Sequence, residues 1–238
     1  MLRRVLFAGI LAGIAAAAIV SVVQTLSTTP LILEAEKYES GALPATPAAQ
    51  RSQMEPAPSA GGRGEGGDEA AWEPAEGLER TFYTVLANAL TGVGCGFLLV
   101  AAFALSRRTV DWRRGVLWGL GGFAVFSLAP ALGLPPELPG MGAGAADLAA
   151  RQLWWSATVA ATGIGLALIV FAARAPLKGL GAVLLVAPHV IGAPHPEHFA
   201  GTVPAELAAE FVMASLLASA LFWTALGGIA GYLYPSKG

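Results

Sequence analysis

Charged residues are scarce in this 238-residue sequence. Only 13% of the residues are Asp, Glu, Lys or Arg, about half of the roughly 25% found in a typical globular protein. Hydrophobic residues account for 55% of the chain, and so few charged groups cannot keep that much apolar surface in solution. The composition therefore argues against a water-soluble fold and predicts an all-α, polytopic membrane protein.

Cysteine and the common catalytic motifs are also nearly absent. The single Cys95 lies in an apolar run, which excludes disulfide frameworks, zinc fingers and CxxC redox sites. A net charge of −2 provides no basic field for nucleic acid, so no nucleic-acid partner is expected. The sequence contains no GxxxxGKS/T, HExxH or GxSxG motif, and so has no recognisable nucleotide motor or hydrolase site. We predict that the protein is not an enzyme and has neither catalytic residues nor a bound cofactor.

Long stretches without charged residues make up most of the sequence. A helix needs about 20 residues to cross a hydrocarbon core of roughly 30 Å, and five stretches meet this length easily. The fifth along the chain is shorter and is interrupted by Pro188 and His189. The six uncharged stretches are residues 5–33, 81–106, 115–136, 152–173, 179–196 and 211–236. We predict six transmembrane helices in a single membrane domain spanning residues 1–238.

Residues 40–77 form the one clear linker, rich in Gly, Pro, Ala, Ser and acidic residues. This tract has almost nothing to bury, so we predict a disordered loop within the membrane domain. Arg3 and Arg4, followed by an apolar run, would also suit a secretory signal. The run continues to Leu33, well beyond the roughly 7 to 15 apolar residues of a signal peptide, which favours an uncleaved first span.

Basic residues fall mainly on one side of the predicted helices. With the N-terminus inside, that side receives nine of the 14 basic residues but, of the 16 acidic ones, only Asp111. The nine are Arg3, Arg4, Arg107, Arg108, Arg113, Arg114, Arg174, Lys178 and Lys237. The positive-inside rule therefore predicts that both termini are cytoplasmic and that the 40–77 loop is outside.

The odd-numbered predicted helices share an order of features: a basic start, a proline near the exit, then a carboxylate. The proline and carboxylate pairs are Pro30 and Glu34, Pro130 and Glu137, and Pro188 and Glu197. This order predicts one helical hairpin used three times, as in transporters built from parallel repeats. The alternative is that these features are generic to membrane helices. Glycines at four-residue spacing predict close helix packing in either case.

All three histidines are clustered in residues 189–198. Imidazole nitrogens and carboxylates suit divalent first-row ions such as Co²⁺ and Ni²⁺. His189 carries the most weight, because an ionisable group inside the apolar zone is costly and needs a partner. Solvated loop residues are the alternative for the other two histidines. The predicted metal ligands, all at the outer face, are His189, His195, Glu197, His198, Glu34 and Glu36.

Four segments resemble the CbtA family of proposed cobalt transporter subunits. They are RRVLFAGILAGI with PLILEAE, the run at 126–140, DLAARQLWW, and APHVIGAPHP with VPAELAAEF. The resemblance covers nearly all the chain except residues 40–77. It implies a bacterial inner-membrane protein linked to cobalt supply for cobalamin synthesis. It also implies a small single-span partner, similar to CbtB, with a histidine-bearing tail.

These observations together predict a six-helix permease subunit that captures a divalent metal at an outer vestibule and passes it between hairpins. The expected partners are the lipid bilayer and the single-span protein, and homo-oligomerisation is left open. The driving force would be membrane potential, a proton gradient or a partner. The alternatives are a non-transporting membrane scaffold and a membrane metal sensor or chaperone. A scaffold needs no continuous polar path, whereas a permease does.

Overall fold

The computed structural model describes residues 2–43, 74–75, 77–139, 141, 147–194 and 202–234. Within these ranges the protein is helical and contains no strand, so the predicted all-α class is confirmed. The helices are α1 Leu2–Leu26, α2 Thr28–Glu39, α3 Leu78–Ser106, α4 Trp112–Phe123, α5 Ala129–Ala131, α6 Leu148–Phe171, α7 Ala175–Ile191 and α8 Ala205–Leu233.

Four of these helices, α1, α3, α6 and α8, are long and apolar enough to cross a membrane. The third predicted span is a continuous helical run made of α4, a π-helical turn at Ala124–Leu128, and α5. Pro130 has no amide hydrogen for the carbonyl of Phe126, which accounts for an irregularity at this point. The fifth predicted span is α7, a shorter apolar helix of 17 residues.

The first helix extends further than predicted. After a break at Ser27, α2 continues to Glu39, whereas the uncharged stretch ends at residue 33. Pro30 lies in the first turn of α2, where a missing amide hydrogen is tolerated. Most of the predicted linker, residues 44–73 and 76, lies outside the described residues.

Glycine pairs bring two sets of antiparallel helices into backbone contact, as their spacing predicted. In the α1–α3 pair, a Cβ atom on Gly92 would lie 2.5 Å from the carbonyl oxygen of Gly13. In the α4–α8 pair, a Cβ atom on Gly231 would lie 2.5 Å from the carbonyl oxygen of Asp111. The glycines at these two interfaces are Gly9, Gly13, Gly92 and Gly96, and Gly115, Gly119, Gly227 and Gly231.

The third close pair is α6 with α7, which differs from the predicted hairpins. A Cβ atom on Gly181 of α7 would lie 2.7 Å from the carbonyl oxygen of Gly165 in α6. The helices therefore pair as α1 with α3, α4 with α8, and α6 with α7. The first pair is the first predicted hairpin, but α7 and α8 do not form a closely packed pair. This pairing gives no support to three equivalent hairpins.

Alanine-rich faces join the pairs into a bundle. Ala8, Ala12 and Ala16 of α1 are fully buried in a core that also contains Phe103 and Leu226. Large apolar side chains remain exposed on the outer surfaces of all the long helices. An apolar exterior around a small-residue core is the arrangement expected of a helix bundle solvated by lipid.

Candidate metal site

Antiparallel packing collects acidic helix ends at one end of the bundle and basic helix ends at the other. We call these the acidic end and the basic end. The carboxylates of the acidic end are Glu34, Glu36, Glu39, Glu79, Glu137, Asp147, Glu206 and Glu210. The cations of the basic end are Arg3, Arg4, Arg107, Arg108, Arg113, Arg114, Arg174 and Lys178. The predicted ligands that the structure describes, on α2 and at the end of α7, belong to the acidic end.

Both acidic ligands predicted on the first span are paired with cations. Arg80 of α3 donates to Glu36 through both terminal guanidinium nitrogens, with distances of 3.1 Å from Nη1 to Oε2 and 2.5 Å from Nη2 to Oε1. The Nζ atom of Lys37 lies 2.7 Å from Oε2 of Glu34. A metal ion at either carboxylate would therefore have to compete with a positive side chain already in contact with it.

His189 lies in the last turn of α7, directly after Pro188. Its half-buried ring packs edge-on against Trp154 of α6, with ring centroids 6.2 Å apart. Pro188 has no amide hydrogen, so the carbonyl of Leu184 lacks its usual donor four residues later. An imidazole and a carbonyl oxygen without its helical donor thus lie within about one turn of each other at the C-terminal part of α7.

The complete predicted site is only partly described. His195, Glu197 and His198 lie outside the described residues. Among the residues that are described, no three His, Cys, Asp or Glu side chains come close enough together to hold a metal ion. His189, Glu34 and Glu36 therefore do not form a cluster by themselves, and the six-residue site stays a prediction.

Polar groups at the other helix interfaces satisfy one another. Asn88 of α3 donates to Oγ of Ser21 and Oε1 of Gln24, both on α1, at 2.9 Å and 2.7 Å. The hydroxyls of Ser127 in the π-helical turn and Ser219 in α8 lie 2.6 Å apart. These bonds join the facing helices and hold them in register.

Three polar side chains on α6 behave differently, and sequence reasoning did not predict them as functional. Trp154, Thr158 and Thr162 are 8%, 0% and 3% exposed, so at least nine-tenths of each is buried. The Trp154 Nε1 atom and the two threonine hydroxyls have no hydrogen-bond partner within the described ranges. The signal in the sequence is their four-residue spacing, which places all three on one face of α6.

A large apolar groove lies between α3, α4 and α6. Its volume is about 1200 Å³, and none of the predicted metal ligands lines it. Leu98, Leu117 and Val159 contribute to its walls, while Arg108 and Arg114 lie at its mouth, at the basic end. The Arg108 guanidinium also stacks over the ring of Phe171, 4.8 Å from its centroid. This groove suits an apolar occupant rather than a metal ion.

The bundle, with its spanning helices, apolar exterior and segregated charges, defines an integral membrane protein. A family model described as "Probable cobalt transporter subunit (CbtA)" matches residues 2–235. The chain therefore belongs to the CbtA family, as its sequence resemblance indicated. No curated protein and no solved structure gives a significant match to the chain.

Proposed function

We propose that the protein is a permease subunit that takes up a divalent transition metal, cobalt in the first instance, for cobalamin synthesis. The observation that carries the proposal is the match to a cobalt transporter subunit family over residues 2–235. The segregation of carboxylates to one end of the bundle supports it, since such an end attracts divalent cations.

The proposed topology has six spans, both termini in the cytoplasm, and the acidic end outside the bacterial inner membrane. The helical run from Trp112 to Ala131 is roughly 30 Å long at about 1.5 Å per residue, which matches the hydrocarbon thickness. The 17 residues of α7 cover somewhat less and rely on the flanking residues. The basic end faces the cytoplasm under the positive-inside rule.

Metal capture is proposed at the acidic end. The carboxylates attract and partly dehydrate the ion, and His189, with His195 and His198, supplies the imidazole nitrogens that Co²⁺ and Ni²⁺ favour over Mg²⁺ or Ca²⁺. A divalent ion entering through a membrane potential of about 100 mV gains about 4.6 kcal/mol. That energy drives accumulation without a nucleotide motor.

The proposed partner is a small single-span protein, and we place its helix in the groove between α3, α4 and α6. A helix about 10 Å wide with a rise of about 1.5 Å per residue fills roughly 120 Å³ per residue. The groove, at about 1200 Å³, therefore accommodates about three turns. Arg108 and Arg114 at its mouth favour an acidic group on the cytoplasmic side of the partner.

The scaffold alternative receives less support from the packing. A scaffold would offer its glycine faces to a partner, but the glycines at four-residue spacing are used in contacts within this chain. The sensor alternative differs from the permease in binding metal without moving it.

Uptake of Co²⁺ into proteoliposomes, with an imposed potential and with or without the partner, tests the proposal. We expect His189→Ala to reduce Co²⁺ binding and uptake by at least about tenfold, because a lost metal ligand affects affinity far more than a lost surface contact. Val190→Ala, which alters an exposed neighbour on the same turn, is the matched control and should behave as the parent does. Binding without uptake by the parent would favour the sensor, and neither binding nor uptake would favour the scaffold.

A further inference from the structure

Thr158 and Thr162 leave their hydroxyls unpaired although a partner is available within α6. A helical threonine can donate to the carbonyl four residues earlier, and Thr25, Thr84 and Thr224 do so at 2.8, 2.8 and 2.6 Å. The Thr158 and Thr162 hydroxyls make no such bond. An unpaired buried polar group is costly, so a ligand that hydrogen-bonds to both hydroxyls is favoured.

The face that carries these threonines points toward α7. At its cytoplasmic side, a Cβ atom on Gly165 would lie 2.8 Å from the carbonyl oxygen of Gly181. At its outer side, the Trp154 ring packs against His189. The two threonines lie between these contacts on the same buried stripe of α6, so their hydroxyls belong to the α6–α7 interface.

Their spacing suits water. Residues four apart on a helix are separated by about 6 Å along its axis, roughly twice the length of an O–H···O hydrogen bond, which is about 2.8 Å. A water molecule placed between Trp154 and Thr158, and a second one between Thr158 and Thr162, would span these separations. The indole nitrogen only donates, whereas hydroxyls and water both donate and accept, so the chain of bonds is continuous. The Leu184 carbonyl on α7 is a further acceptor at this interface.

We propose that the α6–α7 interface holds a file of water molecules on Thr158 and Thr162 that leads from His189 into the middle of the membrane. The file supplies hydration to an ion that leaves His189, in a zone where the neighbouring side chains are apolar. Its role in ion movement rests on the proposed permease function. The presence of water at these positions does not, and it is tested separately.

Cysteine accessibility tests for water without any transport measurement. Thr162→Cys in a Cys95→Ser background is treated with a small cationic methanethiosulfonate reagent, which reacts with ionised thiols in contact with water. Ala218→Cys, at a buried position near the middle of α8 that is 3% exposed, is the dry control. We expect Thr162→Cys to react on the order of tenfold faster than Ala218→Cys, because only a hydrated thiol ionises readily. Equal, slow reaction at both positions would overturn the proposal.

Valine substitution tests the role of the file in transport. Thr158→Val and Thr162→Val exchange a hydroxyl for a methyl group of the same shape, whereas the corresponding serine variants retain the hydroxyl. We expect the valine variants to lower Co²⁺ uptake by about tenfold and the serine variants to restore it. Thermal stability should be nearly unchanged, because the buried hydroxyl is replaced by an apolar group of the same shape and its water is released with it. Thr224→Val, whose hydroxyl bonds its own helix, should leave uptake unchanged.

The outcomes separate the two proposals. If both valine variants take up Co²⁺ as fast as the parent, the file of water molecules is not an ion route, even if water is present. If the parent itself moves no Co²⁺, the permease function fails, and the thiol reactivity of Thr162→Cys alone decides whether the interface is hydrated.

Discussion

At the level of single residues, Glu36 has a partner that the sequence does not reveal. Arg80 lies 44 positions further along the chain, beyond the linker, and only the packing of α1 on α3 brings the two together. The ion pair joins the start of α3 to α2 at the acidic end. Glu36 has one of two roles. It is either a structural clamp, meaning that its ion pair only holds α2 to α3, or a metal ligand from which Arg80 must be displaced before metal binds.

Removing the arginine distinguishes these roles. If Glu36 is a metal ligand, Arg80→Gln should tighten Co²⁺ binding several-fold, because a competing positive charge is lost, and Glu36→Gln should weaken it. Arg151→Gln, which removes a cation of the acidic end that is paired with Glu137 rather than with a predicted ligand, is the control for net charge. Titration calorimetry on the purified protein measures the affinities. If Arg80→Gln and Glu36→Gln both lower stability and leave Co²⁺ affinity unchanged, the pair is a clamp.

Only part of the candidate metal site could be predicted from the sequence. His189 is conspicuous in the sequence because an ionisable residue interrupts an apolar stretch, and the structure places it at the end of α7. Thr158 and Thr162 give no such signal, since threonine is unremarkable in a membrane helix. Whether a threonine hydroxyl donates to its own helix depends on the side-chain rotamer and on the helix that it faces. Neither can be predicted from the sequence.

At the level of elements, uncharged length predicts where helices form but not which helices pair. All six apolar stretches contain helices, because backbone groups in lipid must be paired within the segment. The pairing of α4 with α8 depends on Gly115, Gly119, Gly227 and Gly231 meeting face to face. A glycine pair predicts that its helix has a close neighbour, but it does not identify that neighbour.

Two glycines of α3 give a direct test of this packing. Gly92 faces the backbone of α1, whereas a Cβ atom on Gly94 would meet nothing within 4 Å. We expect Gly92→Ala to destabilise the protein by about 1–3 kcal/mol through overpacking. Gly94→Ala should be neutral or stabilising by up to about 1 kcal/mol, because alanine is the better helix former. Reversible unfolding in mixed detergent measures both. Equal effects would mean that α1 and α3 do not approach at Gly92.

Two glycines also give a test of the proposed partner site. Gly121 lines the groove, and a Cβ atom there would meet nothing within 4 Å. Gly121→Leu should therefore fill the groove without disturbing the fold and should reduce co-purification of the single-span partner by about tenfold, a loss of about 1.4 kcal/mol. Gly94→Leu adds the same side chain at an open position on α3 outside the groove. Full partner retention by Gly121→Leu would place the partner elsewhere.

At the level of the whole molecule, segregation of charge is the property that the sequence predicts best. Counting basic residues requires only the order of the helices, and antiparallel packing then brings like ends together whichever helices become neighbours. This is why the acidic and basic ends form although only the first of the three predicted hairpins is a closely packed pair. The orientation of the bundle in the membrane decides whether the acidic end receives metal from outside or from the cytoplasm.

Single cysteines at the two ends test the orientation. Ser40 follows α2 at the acidic end, Thr109 lies between α3 and α4 at the basic end, and both are exposed. In a Cys95→Ser background, an impermeant maleimide applied to intact spheroplasts should label Ser40→Cys, and should label Thr109→Cys only after permeabilisation, because the basic end is held inside. The Cys95→Ser parent is the unlabelled control. Labelling of Thr109→Cys alone in intact cells would invert the bundle. The carboxylates and His189 would then face the cytoplasm, where they suit export or sensing of metal rather than its uptake.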